Sequence, residues 1–162
     1  MAEHFFLQVD GIDGESLDDK HLNWIDIHAW SWGASQSGTT HEGPGAGGGK
    51  VNVSDLTFTK FVDKATPGLL KACFNGKHIP KAEFHVLKAG GDSPVLYLKY
   101  ILTDIIVSSY NSGGAAGGLD RIEETVTFNF REVKIEYTQQ LANGGLGATT
   151  PVGWDIAANK AV

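Results

Sequence analysis

Apolar and polar residues alternate along most of this chain of 162 residues, in short runs separated by glycine-rich turns. In an extended strand every second side chain faces the same side, so this alternation predicts β-strands. Nearly all connections are too short for a crossover helix, which predicts antiparallel pairing. The predicted strands are EHFFLQVD, NWIDIHAWSWG, KVNVSDLTFTKF, PKAEFHVLKAG, PVLYLKYILTDIIVSSY and ETVTFNFREVKIEYTQQ, with a short final piece around VGWDI.

One segment, ATPGLLKACFNGK, breaks this pattern and predicts a short α-helix. Thr66 is placed to cap the helix N-terminus, Pro67 suits the first helical position, and Gly76 suits the C-terminal stop. Four side chains fall on one helical face, which would hold the helix against the sheet or across a barrel end. They are Leu69, Leu70, Cys73 and Phe74.

The strand ETVTFNFREVKIEY changes phase part-way along. Its apolar residues alternate with polar ones up to Phe130 and again from Val133 onward. The step of three residues between these two predicts a β-bulge, which barrels use to bend a strand. The alternating apolar positions are Val126, Phe128, Phe130, Val133, Ile135 and Tyr137.

The segment VLYLKYILTDIIV is apolar on both faces, unlike a strand with one side in water. One face carries Leu96, Leu98, Tyr100 and Leu102. The other carries Tyr97, Ile101, Ile105 and Val107. Two interpretations stay open: a central strand covered by the helix, or an outer face buried by another copy of the chain, in which case the second set forms a subunit interface.

The loop HEGPGAGGGKVNV resembles a phosphate-binding loop, since Gly43, Gly45 and Gly48 match G-x-G-x-x-G. A P-loop needs a glycine and a hydroxyl residue where this chain has Pro44 and Val51. Both phosphate-binding motifs also need a helix directly after the loop, and here a strand is predicted. We therefore expect no nucleotide binding.

Composition narrows the possible partners. With 13 basic and 19 acidic residues the formal charge is −6, and no basic stripe is present, so we expect no nucleic-acid partner. No apolar run is long enough to span a membrane, and the start MAEHFFLQVDG lacks the features of a signal peptide. We expect one domain over residues 1–162, made in the cytoplasm, whose only cysteine, Cys73, cannot form an internal disulfide.

The sequence has few features of a catalytic site. The six histidines never have a spacing that places two on one strand face, and no metalloprotease or hydrolase motif occurs. We therefore predict no enzyme activity, no metal and no cofactor. The segment WIDIHAWSWG offers an alternative function, because Trp24, Trp30 and Trp32 share parity and would form a row that stacks on a glycan or other small ligand. Ser31 would then face the opposite side.

Four segments taken in order resemble the haemolysin-coregulated protein (Hcp) family, the tube subunits of bacterial type VI secretion. They are AWSWGASQSG, VNVSDLTFTKFVDKATPGLLKACFNGKHIPKAEFHVLKAGG, IIVSSYNSGG and ETVTFNFREVKIEYTQQ. The resemblance covers the chain from FFLQVDGIDGES to GWDI. It implies an antiparallel β-barrel of two packed sheets with one short helix, assembled as a hexameric ring.

The resemblance also implies partners and a route. Stacked rings would form a tube inside a contractile sheath, with a VgrG-like spike protein at the tip and small effector proteins in the lumen. The chain would leave the cytoplasm through this machine, which fits the missing signal peptide. The chain ends about six residues past GWDI, so an unextended subunit without a toxin domain is expected.

Two sites follow for such a ring. Ser31 is predicted to line the lumen and contact effectors. The glycine-rich loop is costly to order by itself, so we predict that it orders when rings stack. The predicted stacking residues are His41, Gly43, Pro44, Gly45, Gly47 and Gly48.

Overall fold

A computed structural model describes residues 3–38, 41, 49–90, 93–118 and 120–162. These residues form strands joined mostly by turns, together with one helix. The elements are β1 (Glu3–Val9), β2 (Ile25–Ile27), β3 (Ala29–Ser31), β4 (Ala34–Ser35), β5 (Asn52–Val53), β6 (Leu56–Phe61), α1 (Thr66–Asn75), β7 (Ile79–Lys88), β8 (Val95–Gly113), β9 (Glu123–Gln140), β10 (Leu146–Asp155) and β11 (Lys160–Ala161).

The strands close into a barrel, and every pairing is antiparallel, as predicted. Strand β1 pairs with β2 and β7, β7 with β8, β8 with β9, and β9 with β6. The circle closes because β2 runs on into β3, which pairs with β6. Strands β10 and β11 extend the sheet from the C-terminal half of β9.

The long strands β8 and β9 serve two sheets. The C-terminal half of β9 pairs with β10, whereas its N-terminal half pairs with β6. The barrel interior between these sheets is filled by aromatic and aliphatic side chains. Phe58 meets Phe128 edge to face, and Trp30 packs against Phe84 and Tyr100.

Three neighbouring strands change phase at one level of the barrel. Their inward residues are three apart instead of two, and all are buried: Ile79 and Ala82 in β7, Leu102 and Ile105 in β8, and Phe130 and Val133 in β9. The predicted slip in β9 is therefore present. It is not a one-strand bulge, because Leu102 still pairs with Val133 and Ile105 with Phe130. Between them Asp104 has a positive φ of 56°.

This change of phase corrects part of the predicted outer face of β8. Unbroken alternation placed Ile105 and Val107 outside, but beyond Asp104 both turn inward and are only 0% and 1% exposed. They belong to the barrel core and cannot form a subunit interface. Tyr97 and Ile101 precede the change and are half-buried. Helix α1 does contact β8, as the first of the two interpretations of this strand expected.

The helix begins and ends close to the prediction, but its cap and its buried face differ. Gly76 ends it in the left-handed conformation with φ 63°, as expected. Thr66 is helical and does not cap the N-terminus; its hydroxyl instead accepts the Asp63 N–H at 3.1 Å. Leu69 and Ala72 are buried against the barrel. Phe74 is 81% exposed, so its predicted place on the buried face is wrong.

Candidate functional site

The outer face of β3, β6, β9 and β8 carries two rows of small uncharged residues, which we call the hydroxyl face. Strand alternation creates it, since buried Leu56 and Phe58 separate outward threonines in β6, and Val126 and Phe128 do the same in β9. Pairing then aligns these positions across four strands. The rows are Ser31, Thr57, Thr127 and Ser109, and Ala29, Thr59, Thr125 and Asn111.

Hydrogen bonds order the centre of this face. Thr57 and Thr127 share a hydroxyl hydrogen bond of 3.3 Å, and Thr59 and Thr125 share one of 3.4 Å. Each pair uses one hydroxyl hydrogen, so each keeps one donor and acceptor capacity for another group. Ser31 is exposed, and its side chain makes no hydrogen bond to the described part of the chain. The sequence prediction that Ser31 faces away from Trp30 and Trp32 agrees with this placement.

Charged side chains lie only at the borders of the hydroxyl face. At one end Asp55 accepts hydrogen bonds from Ser108 at 3.0 Å and Asn129 at 2.9 Å. At the other end Glu123 lies 3.1 Å from His28 Nε2. The two rows themselves contain no charged residue. The face therefore offers hydrogen bonds but little electrostatic attraction.

A buried ionic cluster lies directly beneath this face. Lys60 and Glu124 are cross-strand partners with exposures of 0% and 1%, and they form an ion pair. Lys60 Nζ also lies 2.7 Å from Asp63, and Glu124 accepts hydrogen bonds from the hydroxyls of Thr66 and Tyr110. The carboxylates and ammonium are therefore well satisfied, which a fully buried charge requires. This cluster joins β6 and β9 to the start of α1.

The predicted tryptophan row is divided between two sides of the barrel. Trp30 packs against Phe84 in the interior, and Trp32 meets Tyr100 there. Trp24 instead contacts His21 and His85 on the outside of the barrel. The parity changes because the chain bends at His28, where β2 passes into β3. The three indoles do not form one stacking platform.

An apolar cavity of about 480 Å³ opens where β4 and β5 approach β9 and β10. Val133, Ile135 and Val152 line it. The buried indole N–H groups of Trp32 and Trp154 on its walls have no hydrogen-bond partner in the described structure. This cavity lies away from the exposed side of Ser31, so the chain presents two unlike surfaces there.

The remaining predicted residues lie in three places. Tyr97 donates a hydrogen bond of 2.9 Å to Glu3, and Ile101 lies opposite Glu83 on the outer side of the sheet. Of the predicted stacking loop only His41 lies within the described residues. Those outside them are Gly43, Pro44, Gly45, Gly47 and Gly48. After the loop come β5 and β6, so a strand follows it, as predicted.

The described residues contain neither a metal centre nor a membrane-spanning helix. No group of three or more His, Cys, Asp or Glu side chains there is arranged to hold a metal ion. No helix in this part of the chain is long and apolar enough to cross a membrane.

Sequence reasoning missed the threonine rows, although Thr57, Thr59, Thr125 and Thr127 already alternate with apolar residues in the sequence.

Comparison with known proteins adds a family and several relatives. The family model described as "Type VI secretion system effector, Hcp" matches residues 6–137. The protein hcp1 of Pseudomonas aeruginosa is 48% identical over 160 residues, which cover 98% of each chain. The crystal structure of Hcp1 from Salmonella typhimurium has a TM-score of 0.83 at 43% identity and covers 100% of both chains. A structure of a type six secretion system protein has a TM-score of 0.91 at 37% identity over 99% of this chain and 100% of that one.

Proposed function

This chain belongs to the Hcp family and is a component of the type VI secretion apparatus, and we propose that it is the subunit of a hexameric ring. In this proposal the rings stack into the exported inner tube, and small effector proteins travel in the lumen. A contractile sheath surrounds the tube, and a VgrG-like spike protein forms its tip. The chain is cytoplasmic before firing and extracellular afterwards.

The observation that carries the lumen assignment is the hydroxyl face. A channel that must hold different proteins and release them needs groups that form weak hydrogen bonds without strong attraction to one sign of charge. The two rows around Ser31 have this chemistry over four adjacent strands. We place this face toward the ring axis, with Ser31 in contact with effectors.

The contacts between subunits use other surfaces. Tyr97 and Ile101 are half-buried and lie outside the core positions that Ile105 and Val107 fill, so these two are proposed as interface residues. A ring with one type of subunit requires a heterologous contact, in which two different patches of the chain meet. The chain acts as a structural element in this proposal and has no catalytic activity of its own.

The glycine-rich loop, including His41, Gly43, Pro44 and Gly45, is proposed to order at the junction between stacked rings. Joining Ser37 to Lys50 by a tight turn should leave single rings intact in native mass spectrometry. It should abolish tubes in electron microscopy and secretion into the medium. Tubes and secretion that survive this deletion would reduce the loop to a spacer.

The lumen assignment is tested by adding charge at its centre. Ser31→Arg should leave the ring mass unchanged in native mass spectrometry and lower the amount of effector that co-purifies with the ring. Ser31→Thr is the matched control, because it keeps the hydroxyl and should retain effectors. Ser93→Arg adds the same charge at an exposed position outside the face and should also retain them.

Three other results decide against parts of this proposal. Effector retention by the Ser31→Arg ring would show that Ser31 does not line the lumen. Loss of the ring in that variant would place Ser31 in a subunit contact instead. A monomer mass for the unchanged chain at micromolar concentration would contradict ring assembly itself.

The alternative function, a barrel that binds a glycan through its tryptophans, is not favoured. A glycan platform needs exposed, coplanar aromatic faces, whereas Trp30 and Trp32 pack in the barrel interior and Trp24 lies on its other side.

A further inference from the structure

A buried pair of histidines fastens the loop over residues 10–24 to the outside of the barrel. His21 belongs to this loop and is 4% exposed, and His85 belongs to β7 and is 8% exposed. The ring of His21 stacks on Phe6 at 4.4 Å between centroids, and Trp24 covers His85 at 4.5 Å. Neither histidine belongs to the hydroxyl face or to the core of the barrel.

Four side chains form one continuous line of hydrogen bonds, which we call the histidine latch. Asp18 Oδ2 lies 2.7 Å from His21 Nδ1, and His21 Nε2 lies 2.9 Å from His85 Nδ1. The line ends at Glu83, whose Oε2 lies 3.1 Å from His85 Nε2. Two carboxylates therefore flank two imidazoles, and all four ring nitrogens are engaged.

Counting hydrogens fixes the protonation state that this line needs. Ionised carboxylates only accept, so His21 Nδ1 and His85 Nε2 must each carry a hydrogen. The contact between the two rings needs one more hydrogen between its nitrogens. Three bonds thus need three hydrogens, one more than two neutral imidazoles supply. The complete latch holds a single positive charge between two negative ones.

Either change in proton number breaks a bond. A fourth proton would put an N–H group on both sides of the contact between the rings, and the two would repel. With only two protons, one of the three contacts would bring together two acceptors without a hydrogen. Since the rings are buried, water cannot easily replace the lost bond.

The charged groups around the latch lie on four strands. On β2, Asp26 is the cross-strand partner of Phe6; burial raises the pKa of Asp26, and the charges of Asp63 and Asp18 add to this shift. On β7, Lys81 pairs with Glu83 at 2.9 Å; on β8, Lys99 pairs with Glu136 at 3.7 Å. On β1, His4 stacks on Phe6 from beyond the latch. Lys99 opposes further protonation of His85, whereas Glu83 favours it.

The directions of the pKa shifts of His85 and Asp18 agree with the hydrogen count. Burial lowers the pKa of His85 from 6.5 to about 4; the hydrogen bond to Glu83 opposes this shift, and the charge of His21 adds to it. The hydrogen bond from His21 also lowers the pKa of Asp18. The latched form of His85 therefore binds fewer protons than an ordinary histidine between pH 6.5 and 4. The free energy that holds the loop over residues 10–24 on the barrel must therefore decrease as the pH falls through this range.

We propose that Asp18, His21, His85 and Glu83 form an acid-sensitive latch, which holds the loop over residues 10–24 on the barrel and releases it when the pair takes up one further proton. Release would uncover the outer side of Phe6. It would also free the loop that carries Leu17 and Leu22, whose side chains are 89% and 59% exposed in the closed form. The surface that this side of the subunit offers to other proteins would then change with pH.

Hydrogen exchange of the assembled full chain tests the latch. For wild-type protein, protection of the amides over residues 14–24 should fall by about a hundredfold from pH 7 to pH 4, as follows from a shift of pKa from 6.5 to about 4. His85→Gln is the informative variant. Its amide can accept from His21 and donate to Glu83, but it does not titrate, so its protection should change much less over the same range.

Exchange rates of an unstructured peptide with the loop sequence correct for the intrinsic effect of pH. Equal pH dependence in wild type and His85→Gln would overturn the proposal. Imidazole ¹⁵N spectra of the wild type give a second test that needs no substitution. They should show hydrogens on His21 Nδ1 and His85 Nε2 near neutral pH and one hydrogen shared between the rings. A spectrum of two independent neutral rings from pH 7 down to pH 5 would also contradict the latch.

Discussion

The two outer sides of the barrel differ in whether the chain covers their outward-facing residues. On the side of β3, β6, β9 and β8 the outward residues are small and uncharged, and the chain leaves them open. On the side of β1 and β7 the outward residues include Phe6 and His85, and the loop over residues 10–24 covers them. The chain thus covers Phe6 and His85 with its own loop and leaves the hydroxyl face open.

What lies beneath each side follows the same division. Under the hydroxyl face the fully buried pair Lys60 and Glu124 connects two strands to the helix, so a buried ionic cluster lies beneath the open face. The covered side has its ionic groups above the sheet, between loop and strand. In our proposal the hydroxyl face keeps its shape, whereas the covered side responds to protons.

The largest effect should come from breaking the base of the hydroxyl face. Lys60→Met leaves Glu124 buried without its cation, and removing one partner of a buried pair costs about 3–5 kcal/mol. Urea unfolding of the variant at pH 7 measures this loss. Lys64→Met is the control, because Lys64 is exposed and near in sequence. A loss below about 1 kcal/mol for Lys60→Met would mean that the cluster is not structural.

The second-largest effect is expected on the covered side, from a substitution at Gly14. A Cβ atom there would lie 2.5 Å from the Trp24 carbonyl oxygen and 2.6 Å from Ile25 Cα, both backbone atoms that cannot turn aside. We expect Gly14→Ala to lower the free energy of unfolding by about 1–3 kcal/mol and to raise hydrogen exchange in the loop. Gly33→Ala meets no atom within 4 Å and serves as control. Equal stability of both variants would show that the loop closes without this contact.

The smallest effect is expected on the open face itself. Replacing both Thr57 and Thr127 by valine keeps their shape and removes one part-buried hydrogen bond between two hydroxyls, so stability should change by less than about 1 kcal/mol. Urea unfolding checks this, with the double serine variant as a control that keeps both hydroxyls. A loss above about 2 kcal/mol would mean that the threonines support the barrel and are not reserved for a partner.

The sequence predicted the fold well wherever local alternation and turn residues decide it. The strands, their antiparallel pairing, the helix end at Gly76 and the outward direction of Ser31 all follow from spacing. Prediction failed where tertiary contacts override a simple period. Ile105 and Val107 face inward because three paired strands change phase together. Trp24 and Trp30 lie on different sides of the barrel because the chain bends at His28.

The hydroxyl face and the histidine latch could not be predicted from the sequence for a different reason. The hydroxyl face joins residues 29–31, 57–59, 109–111 and 125–127, and its rows follow only from the register. His21 and His85 are 64 residues apart and meet only because the loop folds back on β7. No spacing rule connects positions as distant as these.

Cryo-electron microscopy of the assembled wild-type chain would show directly which side of the barrel lines the channel. We predict a six-membered ring in which β3, β6, β9 and β8 surround the central channel, with Ser31 and Thr57 pointing at the axis. A ring whose channel is lined by the covered side, with the histidine latch toward the axis and Ser31 on the outer wall, would contradict it.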